Sequence, residues 1–211
     1  MGRTRIKICG VRDVETALCA AECGADAIGF VFVKASPRYV TPDGAEEIAA
    51  YLPPFVQTVG LFVNPSAQQV EEAAEVCLFD FLQLHGNEPE PFVRECGGRV
   101  IKAVRFDAGS IEGDLLKWNR LAEIDALLVD GGSGGEGRPF DWAALARVQD
   151  LCEHPLILAG GLTPENVGEA IRAVRPWAVD VSSGVERSPG EKDPDLIAAF
   201  CEAVHRADAA G

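Results

Sequence analysis

The sequence predicts a closed (β/α)8 barrel of the TIM-barrel class, formed as a single domain over residues 1–211. Three observations lead there. Eight short apolar runs alternate with segments of helical spacing along the whole chain. The runs lack clean polar–apolar alternation, which is how parallel strands covered on both faces read. Three of them end in a polar residue followed by glycine or serine, at Cys9-Gly10, Asp130-Gly131 and Asp180 to Ser182. In such a barrel the C-terminal strand ends carry the chemistry.

Taken in order, strands are expected near Ile6–Cys9, Ala27–Phe32, Thr58–Val63, Phe81–His85, Val100–Val104, Ala126–Asp130, Leu156–Gly160 and Ala178–Ser182. Between them, apolar residues recur at three- and four-residue spacing. Val14, Leu18, Ala21 and Ala25 mark the first helix, and Val167, Ala170, Ile171 and Val174 the seventh. Thr41-Pro42 and Thr163-Pro164 each offer a hydroxyl cap with proline at the first helical position. Asp13, Ser66 and Asp141 are further caps, and Asp193-Pro194 opens the last helix. At 211 residues the chain is near the lower limit for this fold, so its loops must be short. The alternative is an open doubly wound sheet. That fold does not normally need eight evenly spaced units, and no Gly-x-Gly-x-x-Gly follows the first strand.

Composition narrows the function. No apolar run is long enough to span a bilayer, and residues 1–5 lead into the first strand without an apolar leader, so a soluble cytoplasmic protein is expected. A net charge of −14 repels a phosphate backbone and argues against nucleic acid or an anionic membrane as partner. A small anionic substrate then requires local positive potential, which Arg38, Lys7 and backbone N–H groups can supply. The seven cysteines show neither a disulfide framework nor Cys-x-x-Cys spacing. Cys19, Cys23, Cys77, Cys96, Cys152 and Cys201 fall on or beside helices and read as small buried hydrophobes. Cys19 and Cys23 share a helical face, but no third ligand lies nearby in sequence, so packing is favoured over a metal pair.

The strand ends hold the candidate site. In the first strand Ile6 and Ile8 belong on the outer face, which turns Lys7 and Cys9 inward. A buried lysine needs an anionic partner, and Asp180 on the last strand becomes its neighbour on closure. The pair is either structural or keeps the mouth electropositive around Cys9. A thiol deprotonated in such surroundings acts as nucleophile or base. Asp130 is either a turn residue before Gly-Gly or a proton donor, if low dielectric keeps it protonated. Gly160-Gly161 ends the seventh strand, and Ser182-Ser183-Gly184 ends the eighth and is expected to begin a short extra helix. Loops seven and eight with such a helix form the usual phosphate site of these barrels. Arg38, after the second strand, has a fork that suits a carboxylate. Gln83 and His85 face the same way at the end of the fourth strand, where His85 is either a hydrogen-bonding bystander or a catalytic group.

The motifs KICG, GADAIGFVF, SPRYV, VGLFVN, QLHG, AGGLTPENV and DVSSGVE, followed by PGEKD, cover nearly the whole chain. Together they resemble the phosphoribosylanthranilate isomerases of tryptophan biosynthesis. The resemblance implies an Amadori rearrangement with Cys9 as general base and Asp130 as general acid. It gives Arg38 the substrate carboxylate, and Gly160, Gly161, Ser182, Ser183 and Gly184 the phosphate. All steps are proton transfers, so it implies neither a metal nor an organic cofactor. The family occurs as monomer or homodimer. Two departures stand out: Glu136 replaces a usual serine or threonine in the loop after Asp130, and Asn87 replaces a usual acidic residue. A carboxylate at Glu136 either raises the pKa of Asp130 or points to solvent. Two other readings compete. One is a related phosphoribosyl isomerase of histidine biosynthesis, which carries an aspartate where this chain has Cys9. The other is a non-catalytic phosphate-ligand or FMN-binding barrel.

Overall fold

A computed structural model describes residues 2–132 and 140–210. Along the chain, β1 (Arg5–Cys9), α1 (Val14–Glu22), β2 (Ala27–Val31), α2 (Pro42–Ala49), β3 (Gln57–Phe62) and α3 (Ala67–Val76) come first. Then follow β4 (Phe81–Leu84), α4 (Glu90–Glu95), β5 (Val100–Arg105), α5 (Ile111–Trp118), β6 (Ile124–Asp130) and α6 (Trp142–Ala146). The chain finishes with β7 (Leu156–Ala159), α7 (Val167–Val174), β8 (Ala178–Val181), a two-stranded hairpin of β9 (Glu186–Ser188) and β10 (Glu191–Lys192), and α8 (Pro194–Ala210). Strands β1 to β8 close into a parallel barrel, with β1 pairing β2 on one side and β8 on the other.

Closure splits the apolar residues into two cores, because successive strand residues point to opposite faces. Ile6, Ile8, Ile28, Phe30, Leu127 and Val129 pack outward against the helices. Val59, Phe81, Ile101, Leu128 and Ile157 fill the barrel itself. Cys9 belongs to a third, inner cluster with Val31 and Leu61, so the inward turn expected of strand one is the one observed. The chain's start is fastened to its end, where the Thr4 backbone N–H and hydroxyl both donate to Asp208 at 2.7 Å.

Caps agree with the sequence at Asp13, Thr41, Ser66 and Asp141, each accepting from a backbone N–H in the first turn. Three details differ. Helix α1 buries Thr16, Ala17 and Ala20, whereas Val14, Leu18 and Ala21 are only partly covered and Ala25 lies beyond the helix. The small residues there allow close approach to the barrel. Helix α7 starts at Val167 rather than Pro164, because the Asn166 side chain accepts from Thr163 N–H (2.8 Å) and donates to the Gly161 carbonyl (2.8 Å), holding the approach as a turn. After β8 the extra helix is only a single 3-10 turn, Ser183–Val185, and the unanticipated hairpin β9–β10 follows it. Among the described residues no helix is long and apolar enough to cross a membrane.

Candidate active site

Strand β1 brings a lysine and a thiol into the barrel. The Lys7 ammonium donates to Asp180 Oδ1 at 2.8 Å, with side chains 4% and 7% exposed, which is the pair expected from sequence. Burial alone would depress Lys7, but the charge and hydrogen bond of Asp180 raise its pKa. Burial pushes the Cys9 thiol pKa up, and the pull of Lys7 and Lys192 does not cancel that while Asp180 adds to it. The protonated thiol is therefore favoured over the thiolate.

Asp130 is the last residue of β6 and is 8% exposed. Its Oδ1 accepts from Gly132 N–H at 2.9 Å, so one oxygen serves the turn that the sequence allowed for. Its Oδ2 lies 3.2 Å from His85 Nε2, and His85 Nδ1 lies 2.9 Å from the amide nitrogen of Gln83. With the amide nitrogen donating into Nδ1 the ring proton lies on Nε2; with the amide turned over, Nδ1 donates to Oε1 and Nε2 accepts from a protonated Asp130. Gln83 is fully buried, and among the described residues its Oε1 has no hydrogen-bond partner. His85, left open by the sequence, thus touches Asp130. Glu136 lies outside the described residues.

The Arg38 fork is already engaged. Its Nε donates to Glu186 Oε1 at 2.7 Å and its Nη2 to Oε2 at 2.8 Å. Lys192 donates to the same carboxylate at 2.7 Å, to the Ser182 carbonyl at 2.9 Å and to the Ser182 hydroxyl at 3.3 Å. Burial would raise the Glu186 pKa, but the hydrogen bond from Arg38 and the charge of Lys192 hold it below the ordinary carboxylate value. Lys192 is itself lowered by burial, which Glu186 only partly offsets.

Gly160, Gly161, Ser182 and Ser183 line one pocket of about 50 Å³ together with Asp130 and Asp180. Gly160 has φ +87°, and a Cβ there would strike the Gly131 backbone and Asp130. Gly184 does not line the pocket. It lies against the Leu162 carbonyl with no space for a Cβ, and so locks loop eight onto loop seven. Asp180 adds little net negative charge to the pocket, because Lys7 is bonded to it.

The structure thus gathers Lys7, Cys9, Arg38, Gln83, His85, Asp130, Gly160, Gly161, Ser182, Ser183 and Asp180 at or beneath the C-terminal strand ends. Sequence reasoning missed Glu186, Lys192 and Asn166. The first two stand inside the motifs DVSSGVE and PGEKD, yet a charged residue in a loop gives no sign that it will be buried. Among the described residues no three His, Cys, Asp or Glu side chains form a group that could hold a metal ion.

Known proteins share this sequence and fold. Residues 6–203 match the family model for N-(5'phosphoribosyl)anthranilate (PRA) isomerase. The N-(5'-phosphoribosyl)anthranilate isomerase of Hahella chejuensis is 48% identical over 209 residues, covering 97% of this chain and 95% of that protein. That of Geobacter metallireducens is 50% identical over 201 residues, covering 93% and 96%. Among solved structures, phosphoribosyl anthranilate isomerase from Thermotoga maritima superposes with a TM-score of 0.89 at 41% identity, covering 96% of this chain and 99% of that one. A phosphoribosyl anthranilate isomerase in complex with reduced 1-(o-carboxyphenylamino)-1-deoxyribulose 5-phosphate gives 0.87 at 40%, with coverage of 96% and 99%. By family model, sequence and fold alike, the chain belongs to the N-(5'-phosphoribosyl)anthranilate isomerase family.

Proposed function

We propose that this protein converts N-(5-phosphoribosyl)anthranilate to 1-(2-carboxyphenylamino)-1-deoxyribulose 5-phosphate, with Cys9 as general base and Asp130 as general acid. The observation that supports it most is the shared C-terminal mouth. Cys9 and Asp130 stand there on different strands, with a cationic fork at one side and a Gly/Ser pocket at the other. Asp130 protonates the furanose ring oxygen, and the ring opens to a protonated Schiff base. Cys9 takes the proton from sugar carbon two, leaving an enolamine that tautomerises to the ketone. The iminium acidifies that carbon, so a thiol only partly ionised in the free enzyme suffices as base. His85 orients the Asp130 carboxyl, and Gln83 lies against the other ring nitrogen of the histidine. Arg38 holds the anthranilate carboxylate. Gly160, Gly161, Ser182, Ser183 and Gly184 hold the phosphate, Gly184 also fixing loop eight against loop seven. Lys7, neutralised by Asp180, moderates the thiol. Purified protein mixed with freshly made substrate should extinguish anthranilate-type fluorescence. Persistent fluorescence over substrate shown to be intact would reject the reading.

As to assembly, we propose a homodimer through the opposite face of the barrel. Phe55 is 99% exposed there at φ 74°, beside a cavity of about 380 Å³ that Trp177, Phe81 and Arg99 also line. One similar structure, from Thermotoga maritima, is described as monomers generated from a dimeric phosphoribosylanthranilate isomerase. A second copy seated on that face would cover Phe55 and leave both active-site mouths open.

A further inference from the structure

Glu186 is the point where three parts of the site meet. It receives the Nε and Nη2 edge of Arg38 at 2.7 and 2.8 Å, and Lys192 at 2.7 Å. Lys192 also donates to the Ser182 carbonyl at 2.9 Å, and the Ser182 hydroxyl donates to the Cys9 carbonyl at 3.0 Å. The Glu186 and Lys192 side chains are 4% and 2% exposed, so both charges are sustained by pairing rather than by water. A second fastening lies further along the same hairpin. Arg12 Nη1 donates to the carbonyls of Pro37 (3.1 Å) and Gly190 (3.3 Å), and Gly190 packs directly on the Pro37 carbonyl. Hairpin β9–β10 therefore grips the loop that carries Arg38 from both sides.

This grip determines which part of the guanidinium is free. Glu186 occupies one edge of the fork, and among the described residues Nη1 has no hydrogen-bond partner. An arginine fixed this way has already lost the rotamer freedom that ligand binding would otherwise remove. Two cations on one carboxylate also leave a net positive charge at the mouth of a strongly acidic protein.

We propose that Glu186 is a positioning residue for substrate selection: by holding one edge of Arg38, it presents the other at a fixed distance from Ser182 to a substrate with a carboxylate at one end and a phosphate at the other. The inference rests on the reading that Arg38 receives the substrate carboxylate. It assigns to Glu186 part of the preference for a carboxylated aromatic amine over the same amine without its carboxylate. Electrostatics alone predicts the opposite sign, because removing a negative charge beside Arg38 would strengthen attraction for an anionic substrate.

The test is steady-state kinetics of wild type, Glu186→Gln and Arg38→Met on two substrates, N-(5-phosphoribosyl)anthranilate and its aniline analogue lacking the carboxylate. The quantity read is the ratio of kcat/KM for the first substrate to that for the second. Glu186→Gln should lower this ratio about tenfold or more, the scale of charge-assisted hydrogen bonds lost at a binding group. Loss of a merely structural prop would lower both values together and leave the ratio unchanged, and a simple electrostatic bystander would raise it. Either result overturns the proposal. If Arg38→Met leaves the preference intact, the carboxylate reading of Arg38 fails and the role of Glu186 falls with it. Should Glu186→Gln not fold, Glu186→Asp keeps the charge but withdraws it by one methylene, and the same ratio decides.

Discussion

Cys9 and Asp130 stand in surroundings that differ in kind. Asp130 is held by the Gly132 N–H and by His85, whereas the Cys9 thiol is enclosed among apolar side chains, with Lys7 and Lys192 near enough to act on its charge. Burial dominates, so the Cys9 pKa is raised above its ordinary value. A base with a raised pKa is present mostly in its protonated, inactive form at neutral pH, and its active fraction grows as pH rises. The thiolate absorbance that distinguishes the free wild type from Cys9→Ser should therefore climb with pH between about 7 and 8.5, with no plateau over that span. A flat profile there would show that the base is already ionised in the free enzyme. Both residues were legible because each ends an apolar run just before glycine. Glu186 and Lys192 were not. Their burial comes from a hairpin folding back over the mouth, a tertiary event that leaves no local periodicity to read.

At the scale of elements, the sequence was most informative where burial is two-sided. The eight strands lie within about two residues of their expected limits, because runs such as Leu127-Leu128-Val129 have no polar face to offer. Helices were less legible. The apolar residues of α7 include a full stripe, Val167, Ala170, Ile171 and Val174, all of them buried as expected. In α1 alanines lie on every side, and spacing alone could not tell Ala17 and Ala20 from Leu18 and Ala21 as the covered face. The start of α7 was misplaced for another reason. Thr163-Pro164 is a sound cap, but Asn166 can satisfy both Thr163 N–H and the Gly161 carbonyl with one amide, and this delays the helix by a turn while bracing the Gly160-Gly161 bend. Loop chemistry there prevails over helix propensity, and it does so beside the pocket.

For the whole molecule, the two ends of the barrel divide the labour. Strand closure sets Lys7 opposite Asp180 and so brings the first and last strands into one site, which explains why the chemistry-bearing residues are spread from Lys7 to Lys192. The acidic surface, at a net charge of −14, leaves positive potential at the mouth to Arg38 and Lys192, two cations that share the single carboxylate of Glu186. The other end carries the exposed Phe55. If that face joins two copies, Phe55→Glu should place a charge in the contact and shift the protein to monomer in sedimentation velocity. A wild type that sediments as monomer at micromolar concentration would dismiss the pairing. The measurement that bears most directly on the account is the isomerisation rate of Cys9→Ser and Asp130→Asn beside the wild type, with circular dichroism showing all three folded. Each variant should lose about 10²–10⁴-fold in kcat, the usual worth of one general acid or base. Near-normal turnover in either would contradict the role assigned to that residue.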